Sequence, residues 1–110
     1  MGASNLKKDI MVLELIRVMN EQKKITGAIC AAPIVLQAAG ILEGRVVTSH
    51  PSVKDQLTGV KYLENRVVVD GNIITSRSPG TAMEFAMKLV EILFSSNRVN
   101  IINNGVMARL

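Results

Sequence analysis

Cys30 and His50, one cysteine and one histidine in 110 residues, are the side chains of this sequence best suited to nucleophilic chemistry with proton exchange. Cys30 lies in the run Thr26-Gly-Ala-Ile-Cys-Ala-Ala-Pro33, where a short apolar strand must turn sharply into a helix. Residues 25–29 read as a buried strand, and Pro33 suits the first turn of a helix, where its missing N–H costs nothing. The small residues Gly27, Ala28, Ala31 and Ala32 let the backbone fold tightly and leave the cysteine side chain unobstructed. This is the pattern of a nucleophile elbow with sulfur in place of the serine oxygen. The partial positive charge of the helix start favours the thiolate, the reactive form. The plainer alternatives are an inert buried thiol, the usual state of a lone cysteine in an apolar run, and a turn histidine bonded locally ahead of Pro51.

The other polar residues give weaker patterns. One Cys and one His do not make a four-ligand zinc site, and the carboxylates have no helical ligand spacing, so no metal is expected. Ser78-Pro-Gly-Thr81 ahead of a helix resembles an anion-holding loop but lacks the Gly-x-x-x-x-Gly-Lys pattern; no cofactor is expected. Arg77 fits a carboxylate ligand or a solvated surface equally well. Glu84 reads as a capping-box acid, and Tyr62 and Glu64 as surface or interface residues.

The elements that must position these residues follow from periodicity. Residues 5–23 carry apolar positions at Leu6, Ile10, Leu13, Ile16 and Met19, which predicts one helix with Ser4 or Asn5 as its cap and Lys23 and Lys24 at its negative pole. A short helix over residues 33–39 follows the elbow, with Gly40 as its stop. Residues 45–48 form a candidate strand ending in Ser49-His50-Pro51. Residues 66–75 read as a hairpin about Asp70-Gly71, and residues 76–80 as a loop. Thr81-Ala-Met-Glu84 opens a helix as a capping box, with Ala82, Phe85, Ala86, Leu89 and Leu93 as its buried stripe. Periodicity fades after Phe94. The order suggests a mainly parallel sheet covered on both faces, with its functional crevice at the carboxyl ends of the strands. Cys30 and His50 each follow a strand end and are expected to meet there.

Composition narrows the function classes. The 48% apolar content speaks for one globular domain with an aliphatic core, since aromatics are only 3%. The net charge of +4 comes from 13 basic residues mixed among 9 acidic ones, with no like-charge block and no Trp, which argues against nucleic-acid binding. The uncharged stretch 25–42 is just long enough to span a membrane, but Pro33, Gly27 and Gly40 within it favour a buried strand-turn-helix, so no membrane association is expected. A lone cysteine and no visible signal peptide suit a reducing compartment, the cytoplasm first.

Taken in order, Ala28-Ile-Cys-Ala-Ala-Pro33, Thr48-Ser-His-Pro51, Glu64-Asn-Arg-Val67, Asp70-Gly71, Thr75-Ser-Arg-Ser-Pro-Gly-Thr81 and Glu84-Phe-Ala86 resemble the ThiJ/PfpI superfamily, in its Parkinsonism-associated protein deglycase branch. The resemblance covers roughly residues 2–94 and implies a flavodoxin-like three-layer α/β sandwich with a mainly parallel sheet, working as a homodimer. It implies Cys30 as nucleophile and oxidation sensor, with His50 as the matching histidine. It also implies the N–H of Ala31 as an oxyanion donor, and Arg77, Pro79 and Gly80 as the loop at the pocket and dimer face. The implied activity is glutathione-independent conversion of methylglyoxal to lactate or removal of early glycation adducts, so the partner is a small reactive aldehyde or glycated adduct. The alternatives are a non-enzymatic redox sensor or chaperone, and a peptidase-like relative. Set against the family pattern, this sequence lacks the glutamate that bonds the cysteine and a Gly-Gly turn facing the same pocket. The expectation is therefore a partial domain over residues 1–94, without the N-terminal part of the fold, followed by a divergent or disordered tail over residues 95–110. Such a chain is expected to expose an unpaired strand edge at residues 25–29 and to be marginally stable or aggregation-prone alone.

Overall fold

The structure, a computed structural model, describes residues 1–107. In chain order it contains α1 (Gly2–Lys7), α2 (Ile10–Glu21), β1 (Thr26–Ile29), α3 (Pro33–Ala38), β2 (Val46–Val47), β3 (Lys61–Tyr62), β4 (Val67–Asp70), β5 (Ile73–Ser76), α4 (Ala82–Leu93) and α5 (Ser96–Val106), with 3₁₀ turns at Pro51–Gln56 and Pro79–Thr81. Three strands form one sheet in the order β1-β5-β4, and β2 and β3 form a second, two-stranded one. The β-branched residues that fill β4 and β5 suit a pleated, half-buried surface. β1 runs parallel to β5 with Ile29 opposite Ser76, β2 parallel to β3, and β4 antiparallel to β5. This is the flavodoxin-like α/β class, with β1 at the edge of the larger sheet among the described residues.

The hairpin is displaced by one residue from its expected turn. Asp70 pairs with Ile73, so Gly71 and Asn72 form the turn, and Gly71 supplies the positive φ (58°) at its first position. Asp70 is thereby freed for other work. Its Oδ2 accepts the N–H of Val46 at 2.7 Å and its Oδ1 lies 3.5 Å from Arg45 Nη1, which ties the hairpin to β2.

The single helix expected over residues 5–23 is two. Asp9 interrupts it because its carboxylate accepts the N–H groups of Met11 (2.9 Å) and Val12 (3.3 Å), a cap that starts α2 anew. Neither Ser4 nor Asn5 caps α1, whose N-cap position is Met1. α2 ends on Lys23 in the left-handed region (φ 57°), with Lys24 N–H returning to Met19 C=O at 2.9 Å. Gly40 (φ 80°) closes α3 the same way, with Ile41 N–H on Leu36 C=O at 3.3 Å.

The core sits between α3 and the strands, where Ile34, Val35, Leu36, Leu42, Val47 and Ile73 pack together; Ile74 is buried outside that cluster. α4 does not bury the expected stripe. Met87 is its buried residue, Phe85 and Leu89 are half-buried, and Ala82, Ala86 and Leu93 are exposed. Glu84, Lys88 and Glu91 recur at helical spacing on one face, so periodicity does single out the opposite, apolar face; Ala82, Ala86 and Leu93 on that face are left uncovered among the described residues. The segment after Phe94, where periodicity fades, carries α5, started by Ser95 Oγ accepting the N–H of Arg98 at 3.1 Å.

Candidate active site

At the carboxyl end of β1 the chain makes the sharp turn that the small residues around Cys30 allow. Cys30 has φ 64°, the left-handed region that a residue with a Cβ enters at a cost of about 1–2 kcal/mol. Two backbone bonds hold it there: Cys30 N–H donates to Ser76 C=O (3.1 Å), and Cys30 C=O accepts from His50 N–H (2.8 Å). The elbow is thus strapped to the ends of both neighbouring chain segments, and the cysteine remains half-buried with a free thiol. Ala32 N–H closes the turn onto Ile29 C=O at 3.1 Å, whereas the N–H of Ala31 has no acceptor among the described residues.

His50 meets Cys30 through its backbone. Its ring caps the following 3₁₀ turn, with Nδ1 accepting the N–H of Ser52 at 3.1 Å and lying 2.8 Å from the Ser52 hydroxyl. The neutral ring therefore carries its hydrogen on Nε2. Among the described residues no side-chain hydrogen bond joins His50 to the thiol. The local turn role and the placement beside the elbow both hold.

Arg77 follows β5 and spans three partners. Nε donates to Ser49 C=O (3.0 Å), Nη1 to Glu64 C=O (3.3 Å) and Nη2 to Tyr62 Oη (3.4 Å). Tyr62 Oη donates to the same Ser49 C=O (3.0 Å) and lies 3.0 Å from Ser49 Oγ. Burial raises the Tyr62 pKa, but hydrogen bonding to Ser49 and Arg77, with the Arg77 charge, outweighs it and leaves the phenol below its ordinary value.

A cleft of about 380 Å³ opens beside this network, lined by His50, Pro51, Glu64, Arg66, Arg77, Ser78 and Thr81. Cys30, Ala31, Pro79 and Gly80 are not in its wall. Pro79 and Gly80 form the exposed 3₁₀ turn on its rim, and Gly80 C=O accepts from Arg66. The capping box expected at Thr81 and Glu84 does not form. Thr81 Oγ1 instead accepts the N–H groups of Arg77 and Ser78, both at 3.1 Å. Glu84 turns to Arg66, whose Nε lies 2.8 Å and 2.9 Å from its two oxygens, and this bond holds the Glu84 carboxyl below the usual carboxylate range.

The sequence reading missed Ser49, Tyr62, Thr75 and Ser76. Ser49 and Ser76 are fully buried, and Thr75 Oγ1 accepts the buried N–H of Thr48 at 2.9 Å. A pair of hydroxyl residues just after β2, Thr48-Ser49, and another ending β5, Thr75-Ser76, were the available signal.

Residues 1–92 match the DJ-1/PfpI family. The chain is 44% identical over 99 residues to the Parkinson disease protein 7 homolog of Danio rerio, a match covering 87% of this chain and 52% of that protein. It is 45% identical over 101 residues to the glutathione-independent glyoxalase DJR-1.2 of Caenorhabditis elegans, covering 90% of this chain and 54% of that one. The crystal structure of Drosophila melanogaster DJ-1beta superposes with a TM-score of 0.93 at 40% identity, covering 96% of this chain and 58% of that chain. The chain spans about half the length of these relatives. With the motifs in order, the fold matched and most of its length covered, the chain belongs to the DJ-1/PfpI family.

Proposed function

We propose that this chain carries the nucleophile of a glutathione-independent glyoxalase or deglycase, with Cys30 attacking a small reactive aldehyde or an early glycation adduct. The observation that carries the reading is the half-exposed Cys30 held at φ 64°, with the N–H of the next residue, Ala31, unspent. In methylglyoxal, the Cys30 thiolate adds to the aldehyde carbon, and the carbonyl electron pair moves to oxygen, opposite the Ala31 N–H. The resulting hemithioacetal loses its C1 proton and regains one at C2, so C1 is oxidised and C2 reduced within one molecule. Water then displaces the sulfur from the lactoyl thioester, releasing lactate and the thiol. No external oxidant or reductant enters. His50 is proposed to donate the C2 proton through Nε2–H, the ring nitrogen that Ser52 leaves available, while the C1 proton passes to water. Arg77, Pro79 and Gly80 border the pocket. The reading extends to a homodimer in a reducing compartment such as the cytoplasm, supported by the free thiol and by apolar side chains exposed on α4.

Incubation of the chain with methylglyoxal, with lactate measured enzymatically, tests this. Turnover is expected in the wild type and lost in Cys30→Ser; equal lactate formation by the two would reject Cys30 as the nucleophile.

A second reading, a redox sensor or chaperone, is favoured by one observation: no acidic or basic side chain is hydrogen-bonded to the half-exposed thiol among the described residues. Oxidation of the sulfur to sulfinate needs access rather than an acid–base partner. Absence of turnover together with selective peroxide oxidation of Cys30, read by mass spectrometry, selects it.

A further inference from the structure

We propose that Tyr62 is a positioning residue for Cys30, acting through Ser49 and His50; the inference rests on Cys30 being the reacting group. The left-handed conformation at Cys30 persists because something outside the elbow holds it. One strap, Ser76 C=O, is well anchored. The Ser76 hydroxyl donates to Arg66 C=O and lies 2.6 Å from Thr81 Oγ1, all at the end of a paired strand.

The other strap, His50 N–H, has no strand behind it. β2 ends at Val47, and residues 48–50 continue without a pairing partner in either sheet. Side-chain bonds take the place of the ladder. Thr75 Oγ1 holds Thr48 N–H, and Ser49 C=O, fully buried, is held by two donors, Arg77 Nε and Tyr62 Oη, each at 3.0 Å. Ser49 Oγ lies 3.0 Å from Tyr62 Oη and donates to His50 C=O at 2.9 Å. The Tyr62 hydroxyl is therefore the point at which Arg77 and both polar groups of Ser49 converge. The charged groups facing Tyr62 are Arg77 and Lys54, whose Nζ stands 5.1 Å from the ring centroid. Lys54 belongs to the 3₁₀ turn that His50 caps, so the phenol also touches the far side of the same segment.

The path from Tyr62 to the nucleophile is short: phenol to Ser49, Ser49 to His50, and His50 N–H to Cys30 C=O. Removing the hydroxyl leaves a buried carbonyl with a single donor. It also frees the segment whose N–H holds the elbow.

The test uses the full chain and iodoacetamide, which reports Cys30 without requiring aldehyde turnover. Tyr62→Phe keeps the ring. It is expected to slow Cys30 alkylation about fivefold, the scale of one lost intramolecular hydrogen bond, and to move the pH profile of the rate. Arg77→Lys, which withdraws Nε from the same carbonyl, is expected to be non-additive with Tyr62→Phe. Lys54→Met, which alters only the ring's cation, should leave the rate unchanged. An alkylation profile identical to wild type in a Tyr62→Phe protein of lowered Tm would make the role merely structural and overturn the proposal, as would equal slowing by Lys54→Met. If Tyr62→Phe does not fold, Ser49→Ala, which keeps the carbonyl but removes the Oγ that faces Tyr62 Oη and donates to His50 C=O, is expected to slow alkylation by less than Tyr62→Phe, and a wild-type profile overturns the proposal. A chain inert toward methylglyoxal but showing the Tyr62 effect defeats the enzyme reading alone. Cys30-dependent turnover with Tyr62→Phe alkylating as wild type defeats the positioning alone.

Discussion

Between β1 and the 3₁₀ turn at Pro79–Thr81, most apolar side chains are hidden, Val69 excepted, and buried polar ones are mostly bonded; in α2, α4 and α5 many apolar side chains stand in water. Ile74, Val47 and Leu42 are at most 1% exposed, and the buried hydroxyls of Ser49, Thr75, Ser76 and Thr81 have partners. Met11 is 82%, Leu15 62% and Phe94 67% exposed. The difference teaches where the specification of the elbow lies. The straps on Cys30 come from the sheet region itself, through Ser76 and His50, and none comes from the three longer helices. Those helices instead offer apolar surface of the kind that contacts another body.

The largest expected effect separates the two regions directly. Ile74→Ala in the sheet should cost about 2–5 kcal/mol in urea unfolding, since it opens a cavity among close-packed neighbours. Phe94→Ala should stay within about 0.5 kcal/mol of wild type, the range of ordinary surface changes. A loss of similar size for Phe94→Ala would place α4 inside the folding unit as firmly as β5 and erase the contrast.

The same contrast explains what could be read from residues alone. The elbow was legible because its cause is local: Cys30 sits among residues too small to obstruct a tight turn, and Pro33 marks the helix start. Gly40 as the stop of α3 is equally local. The break at Asp9 was hidden because apolar spacing runs on through it, so a cap and a helix interior compete on equal terms until the carboxylate finds Met11 and Val12. The apolar face of α4 was legible opposite Glu84, Lys88 and Glu91, but periodicity cannot say whether any element covers it, and Ala82, Ala86 and Leu93 stand exposed among the described residues. Tyr62 reads from sequence as a surface or interface residue because its partners, Ser49 and Arg77, lie 13 and 15 residues away, and no spacing rule links them. Side chains that hold a strand end from a distance leave no periodic trace.

A smaller effect tests how α2 is kept. With Met11 and Leu15 exposed, α2 gains little from packing on that side and depends on its own termini. Asp9→Ala should lower stability by about 1 kcal/mol in urea unfolding and reduce helicity in circular dichroism. An unchanged unfolding midpoint would mean that packing of Val12, Leu13 and Ile16 suffices without the cap.

The smallest expected effect concerns the bond between the two regions. Arg66, just before β4, grips Glu84 in the first turn of α4, with Nη2 2.8 Å from Oε1. The Glu84 carboxyl is held below the usual carboxylate range by the Arg66 hydrogen bond. A depressed folded pKa means that the unfolded chain binds the proton more readily. The pair's contribution is therefore complete above the ordinary Glu value and is lost as pH falls through the lower folded value. Because the pair is solvated, the loss should be shallow and weakened by salt. Chemical denaturation across the acid limb should accordingly show a slightly steeper fall for wild type than for Glu84→Gln, and the two slopes should converge at high ionic strength. Parallel acid limbs at low salt would mean that α4 is attached by its half-buried Phe85 and buried Met87 alone, with the ion pair contributing nothing measurable.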